Sequence, residues 1–224
     1  MFPKYDIAGA ACISEMQIWD ISNPAEPTII THIPMPPGMQ IAHSSAFTWD
    51  GEVVIFSDEY GGAAGGGGCT GEEDGNVGAM FFYDISNPES PVLKGHYGIP
   101  RIPPVDDADE ADRFRCTTHN YNVLPMRRES LYVVASSYYT AGLSVVDFQI
   151  RNPQNAREIG YYLPLDRGTL PDMWSAYWYN GRIYTNEHAS SLGVSAFVKD
   201  GLRRSNVKFF RTRLNPQTQI ARFR

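Results

Sequence analysis

"MQIWDISNPAEPTIITHIP", Met16 to Pro34, returns as "MFFYDISNPESPVLKGHYGIP", Met80 to Pro100, and more loosely as "LSVVDFQIRNPQNAREIGYYLP", Leu143 to Pro164. The aspartates Asp20, Asp84 and Asp147 set the period at 64 and then 63 residues. Each copy is an apolar β-rich run, an Asp, a turn built on Asn-Pro, and a second β-rich run ending at proline. That pattern is strand, tight turn, strand.

A second unit lies between these copies. "SAFTWDGEVVIFSDE" (Ser45 to Glu59) matches "SAYWYNGRIYTNE" (Ser175 to Glu187), and "HNYNVLPMRRESLYVVASSYY" (His119 to Tyr139) is a divergent third. Asp50-Gly51 and Asn180-Gly181 fall at the same place, as in a type I′ hairpin that needs positive φ at both central residues. In order, one repeat is four antiparallel strands at a period above 40 residues, the signature of a β-propeller blade. A sandwich would not repeat its sequence, and a β-helix needs a shorter period.

The fold class is therefore all-β, a propeller of four-stranded antiparallel blades. Residues 14–34 read as the last two strands of a blade, 43–100 and 117–164 as two full blades, and 173–200 as three strands of another. Residues 1–200 thus carry about three and a half blades, and 201–224 form a basic tail. Closed propellers have at least four blades. The sequence is then expected to be a piece of a longer propeller or half of a homodimer that closes a ring.

Composition agrees with this class. Apolar residues make up 42% of 224, and 20 glycines and 16 prolines punctuate short apolar runs. No run approaches the roughly 18 to 20 apolar residues of a membrane span. "MFPKYDIAGAACISE" lacks the basic flank and long apolar region of a signal peptide. Net charge is −6, split between −13 before residue 201 and seven basic residues with no acid after Asp200. An acidic body argues against nucleic acid as a partner.

The stretch "EYGGAAGGGGCTGEEDGN", Glu59 to Asn76, looks at first like a phosphate loop. No Gly-Lys-Ser/Thr follows it, and strand-like sequence comes next, so it reads as a rim insertion. It carries Cys69, and Cys116 precedes the next blade. A disulfide between them would close 47 residues. Such a bridge contributes on the order of 4 kcal/mol. Two unrelated reduced thiols are the alternative, and Cys12 reads as a small core residue.

The residues Trp19-Asp20-Ile21-Ser22-Asn23-Pro24, Tyr83-Asp84-Ile85-Ser86-Asn87-Pro88 and Val145-Val146-Asp147 resemble the LVIVD-repeat family of bacterial β-propellers. The likeness runs over roughly residues 14 to 200. It implies the propeller fold and says little about function. Members are often exported, which implies an extracytoplasmic setting and favours the Cys69–Cys116 bridge.

In a propeller the first strand of each blade lines the central channel, where ligands and metals gather. His43 and His119 open adjacent inner strands and face one axis, as metal ligands or an acid–base pair do. Asp58-Glu59 and Glu187-His188 end corresponding second strands and offer carboxylates to a divalent cation. Calcium is the first expectation, zinc or manganese the second. Alternating neighbours point to opposite faces, so Glu59 and Glu187 are the inward pair. Trp174 and Tyr138 are the expected ligand wall. The acidic runs Glu72–Asn76 and Asp106–Asp112 read as solvated loops. One Asp per blade before Asn-Pro suits an Asp that bonds its own turn, not a catalyst.

These features fit a binding module that recognises a small ligand or a protein through its loop face. The alternative is a metal-dependent hydrolase of lactones or esters, and a third reading is an assembly protein contacting through its tail.

Overall fold

The computed structural model describes residues 1–61, 77–101, 115–126, 132–149, 155–164, 171–179 and 182–187, together with the backbone of short strands at 191–195, 214–215 and 220–221. Four antiparallel sheets follow one another along the chain. The first holds β1 (Ile7–Ala11), β2 (Glu15–Asp20) and β3 (Thr28–Pro34). The second holds β4 (Ala42–Phe47), β5 (Val53–Asp58), β6 (Met80–Asp84) and β7 (Val92–Tyr97). The third holds β8 (Tyr121–Val123), β9 (Tyr132–Ser137), β10 (Leu143–Phe148) and β11 (Arg157–Tyr162). The fourth holds β12 (Met173–Tyr179), β13 (Arg182–Glu187) and β14 (Ser191–Ser195). Within the basic tail, β15 (Leu214–Asn215) pairs with β16 (Ile220–Ala221). Among the described residues no helix is long and apolar enough to cross a membrane.

These are propeller blades, and burial shows why. All six residues of β5 and all six of β9 are buried, whereas the outer strands β3, β7 and β11 are largely exposed. A strand buried on both faces must be covered by a sheet on either side. Successive side chains of β5 point to opposite faces. Val54 and Phe56 pack with Ile7, Met16 and Ile18 of the first blade. Val53 and Ile55 pack with Val123, Val134 and Phe148 of the third. The same alternation in β9 and β10 joins the third blade to Met173, Ala176 and Trp178 of the fourth. Polar clamps cross the seams: Trp49 donates its indole N–H to the Val123 carbonyl, and the Tyr121 hydroxyl reaches the Ser44 and Ile55 carbonyls.

The sequence repeat is a geometric repeat. A β-bulge sits just before the recurring aspartate in each copy, at Ile18/Trp19, Phe82/Tyr83 and Val145/Val146. Asp20 and Asp84 accept the backbone N–H of Ser22 and Ser86. Asn23 and Asn87 close the turns by accepting from Ala25 and Glu89. Asp147 instead pairs with Arg157, at 3.2 Å.

Three local expectations change. The first blade has a further strand, β1, whose short apolar run Ile7–Ala11 carries no hairpin signal. Cys12 is exposed rather than in the core, because it lies in the turn between β1 and β2. At Asp50-Gly51 only the glycine has positive φ, +81°. The Gly51 N–H bonds the Thr48 carbonyl, a four-residue turn rather than type I′.

Candidate functional site

Two bulges aim the site. The β4–β5 register slips between Ala42 and Ser44, and the β12–β13 register slips between Met173 and Ser175. His43 and Trp174 are the extra residues, and a bulge of this kind redirects a side chain. His119 occupies the corresponding approach to β8. His43 and His119 therefore meet across the seam between the second and third blades, with rings stacked at 4.3 Å between centroids.

Glu59 completes the group. Just past β5, its backbone N–H bonds the Ile41 carbonyl. Its Oε2 lies 3.5 Å from His43 Nε2, and its Oε1 lies 3.8 Å from His119 Nε2. One ligand atom from each of the three lies within 4.8 Å of the others. Glu59 and His119 are each 6% exposed, while the His43 side chain is 27% exposed and forms the solvent side.

Neighbouring groups set the tautomers. His119 Nδ1 lies 2.6 Å from the Trp174 carbonyl oxygen, which only accepts, so Nδ1 carries the proton. The Asn120 amide nitrogen, 3.0 Å from that ring nitrogen, shares the same carbonyl at 3.3 Å. The Ser44 hydroxyl donates to Asn120 Oδ1 and so accepts from His43 Nδ1, at 2.9 Å. Both Nε2 lone pairs then face the Glu59 carboxylate. At 3.5 and 3.8 Å no ordinary hydrogen bond bridges them. Burial, the largest influence on His119, lowers its pKa and keeps the imidazole neutral; the Trp174 carbonyl pulls the other way. Two lone pairs and a carboxylate thus converge on one mostly buried space, an arrangement able to hold a cation.

Tyr139, which the sequence reading did not single out, donates its hydroxyl to Glu59 Oε1. Its φ of +44° turns the ring toward His119, with ring centroids 4.8 Å apart. Paired backbone bonds with Met173, at 3.0 and 3.1 Å, hold that conformation. The Arg115 guanidinium lies 4.0 Å over the Tyr139 ring and is bound by Asp172 at 2.9 Å. Burial, then the bond to Glu59, pushes the Tyr139 phenol well above its usual pKa, so it stays a proton donor.

The other expected site residues lie elsewhere. Tyr138 is fully buried in the seam between the second and third blades, so it forms no ligand wall; its neighbour Tyr139 faces the site. Trp174 contributes its backbone carbonyl and a ring 5.3 Å from that of His119. Asp58 is fully buried and binds protein backbone: the N–H groups of Gln40, Ile41 and Gly78 donate to it at 2.8 to 2.9 Å. Burial raises its pKa against the pull of those three donors. Glu187 is not a member of the three-residue group. It pairs with Met173 as Asp58 pairs with Ala42, so it stands at the Asp58 position, one residue short of the Glu59 position. A one-residue slip reverses the face. His188, Cys69 and both acidic runs lie outside the described residues; Cys116 is disulfide-bonded and Cys12 is free.

With the geometry established, the chain can be set beside known proteins. The model of the LVIVD repeat matches residues 11–33 and 81–98, the strand–turn–strand segments of the first two blades. These two segments match the LVIVD repeat, and the fold is that of a β-propeller. A protein of Lactobacillus plantarum is similar in structure, with TM-score 0.58 and 9% identity over 88% of this chain and 52% of that one. The β-propeller domain of Cps50 (Swd1) from Myceliophthora thermophila has TM-score 0.47 and 9% identity over 86% of this chain and 47% of that one. KlAtg21, in complex with the coiled-coil of AgAtg16, has TM-score 0.44 and 8% identity over 86% of this chain and 47% of that one. This chain spans about half the length of each, and the likeness to the Lactobacillus plantarum protein is one of fold. No curated protein sequence matches the chain.

Proposed function

We propose that this protein is a β-propeller binding module whose recognition centre is a divalent transition-metal ion held by His43, Glu59 and His119. The observation that carries the reading is the convergence of two Nε2 lone pairs and a carboxylate from two adjacent blades within 4.8 Å. A tetrahedral ion with bonds near 2.0 to 2.1 Å sets its ligands about 3.4 Å apart. Glu59 Oε2 lies 3.5 Å from His43 Nε2 and Glu59 Oε1 lies 3.8 Å from His119 Nε2, close to that spacing. A set of one ligand atom per residue spans up to 4.8 Å and draws together by side-chain rotation when an ion binds. Ligating histidines characteristically donate their other ring nitrogen to a carbonyl or similar acceptor, as the Trp174 carbonyl and Ser44 accept here.

The donor set favours zinc and its neighbours over calcium. Calcium takes six to eight oxygens, and the carboxylates expected to supply them are placed elsewhere: Asp58 is bound to backbone and Glu187 is outside the group. The same geometry favours ligand binding over lactone or ester hydrolysis. With both imidazoles and Glu59 on the metal, Tyr139 can donate a proton but not accept one, and Asp172 is tied to Arg115.

The reading is tested by elemental analysis of protein loaded with zinc and dialysed. The expected result is one zinc per chain in the wild type and less than a tenth of that in His119→Ala. Equal zinc in both would remove the site.

A further inference from the structure

We infer that Asp58 is the positioning residue of this centre: one buried carboxylate ties together the three chain segments that carry His43, Glu59 and His119. The inference rests on the metal reading above and adds the residue that sets the spacing an ion meets.

Asp58 is fully out of water. A carboxylate so buried is retained where its oxygens are hydrogen-bonded. Oδ1 accepts the N–H groups of Gln40 and Ile41, at 2.8 and 2.9 Å, and Oδ2 accepts that of Gly78, at 2.9 Å. Each oxygen leads to a ligand.

Ile41 stands two residues before His43, and its carbonyl accepts the Glu59 N–H at 3.0 Å. The segment entering β4 is thus held by Asp58 at its N–H and by Glu59 at its carbonyl, just ahead of the bulge that redirects His43. On the other side, the Gly78 carbonyl accepts the Thr118 N–H at 3.0 Å and the Thr118 hydroxyl at 2.7 Å. Thr118 is next to His119, so the path Asp58–Gly78–Thr118 crosses the seam from the second blade to the third. Gly78 keeps that crossing short. Its φ is +64°, and a Cβ there would lie 2.8 Å from the Thr117 Cα, so a side chain would push the two segments apart. Thr117 and Thr118 are fully buried, which keeps the link out of water.

One carboxylate therefore holds a point beside each ligand: the residue before Glu59, two residues before His43, and through one bonded step the residue before His119. Asp58 is not among the three ligand residues and acts through their backbones. Groups behind metal ligands fix their orientation, and losing one weakens metal affinity by about 10- to 100-fold.

The test uses the full chain. Zinc affinity is read by competition with a chromophoric chelator, and ligand geometry by the d–d spectrum of the cobalt(II) form. Zinc uptake by the wild type is measured first, and its failure removes the metal reading and the inference together. Asp58→Asn has one accepting oxygen in place of two, so it keeps one half of the connection and loses the other. The expected result is zinc affinity at least about tenfold weaker, a shifted cobalt spectrum at saturation, and an unchanged far-UV circular dichroism spectrum. Asp84→Ala, at the opposite end of β6, should keep the wild-type affinity and cobalt spectrum. Should Asp58→Asn fail to fold, Thr118→Val removes the hydroxyl that bonds the Gly78 carbonyl, and zinc affinity at least about threefold weaker is expected. Wild-type affinity and spectrum in Asp58→Asn, or in Thr118→Val where that is the variant read, overturn the inference while leaving the metal. Equal losses in the variant and in Asp84→Ala would mean general loosening and overturn it as well.

Discussion

At the scale of single residues, Tyr138 and Tyr139 show how one step along the chain separates packing from chemistry. Tyr139 turns into the site because its φ is +44°, while Tyr138 turns into the seam between blades. The Tyr138 hydroxyl is buried without a well-aligned hydrogen bond among the described residues, and Thr118 is its polar neighbour. Removing a hydroxyl so weakly bonded should cost little, and removing the ring should cost a great deal. Tyr138→Phe is expected to change stability by less than about 1 kcal/mol and Tyr138→Ala to cost about 3 to 5 kcal/mol. Urea denaturation measures both, and a large loss in Tyr138→Phe would show that the hydroxyl is firmly bonded after all.

His43, His119 and Glu59 were legible in the sequence because a repeat assigns each residue a strand and a face. Their partners were not. The proton on His119 Nδ1 is set by a carbonyl 55 positions away, and Asp58 is satisfied by donors 17 to 20 positions away. Glu187 was misplaced because "FSDE" and "YTNE" align by eye, while the bulges opposite them fix a register that differs by one residue. Residue type and spacing carry face and strand; they do not carry bulges or the donors that other loops bring.

At the scale of elements, the recurring strand–turn–strand unit is stabilised by its own aspartate. The Ser86 N–H and hydroxyl hold the Asp84 carboxyl below its usual pKa, with Lys94 adding to the effect and burial opposing it. Asp84→Ala should cost about 1 kcal/mol near neutral pH. Because the folded pKa lies below the unfolded one, this stabilisation is present above about pH 4 and is lost as the pH falls through the lowered folded value. Stability curves of the wild type and Asp84→Ala should therefore converge in acid. A difference that persists unchanged at low pH would contradict the carboxylate's part in the turn. The Asn-Pro turn and its bonds were legible from "DISNP"; β1, short and without turn residues of its own, was not.

At the scale of the whole molecule, blades packed face to face bring the ends of inner strands together at each seam, and one seam gathers the candidate centre. His43 and Glu59 come from the second blade and His119 from the third, so an ion there would bond one blade to the next. The most direct test is anomalous X-ray diffraction from crystals of the full chain grown with zinc. The account predicts one strong peak in the seam, about 2.0 to 2.2 Å from His43 Nε2, His119 Nε2 and a Glu59 carboxylate oxygen. No peak there, or zinc bound only at other residues, would contradict it.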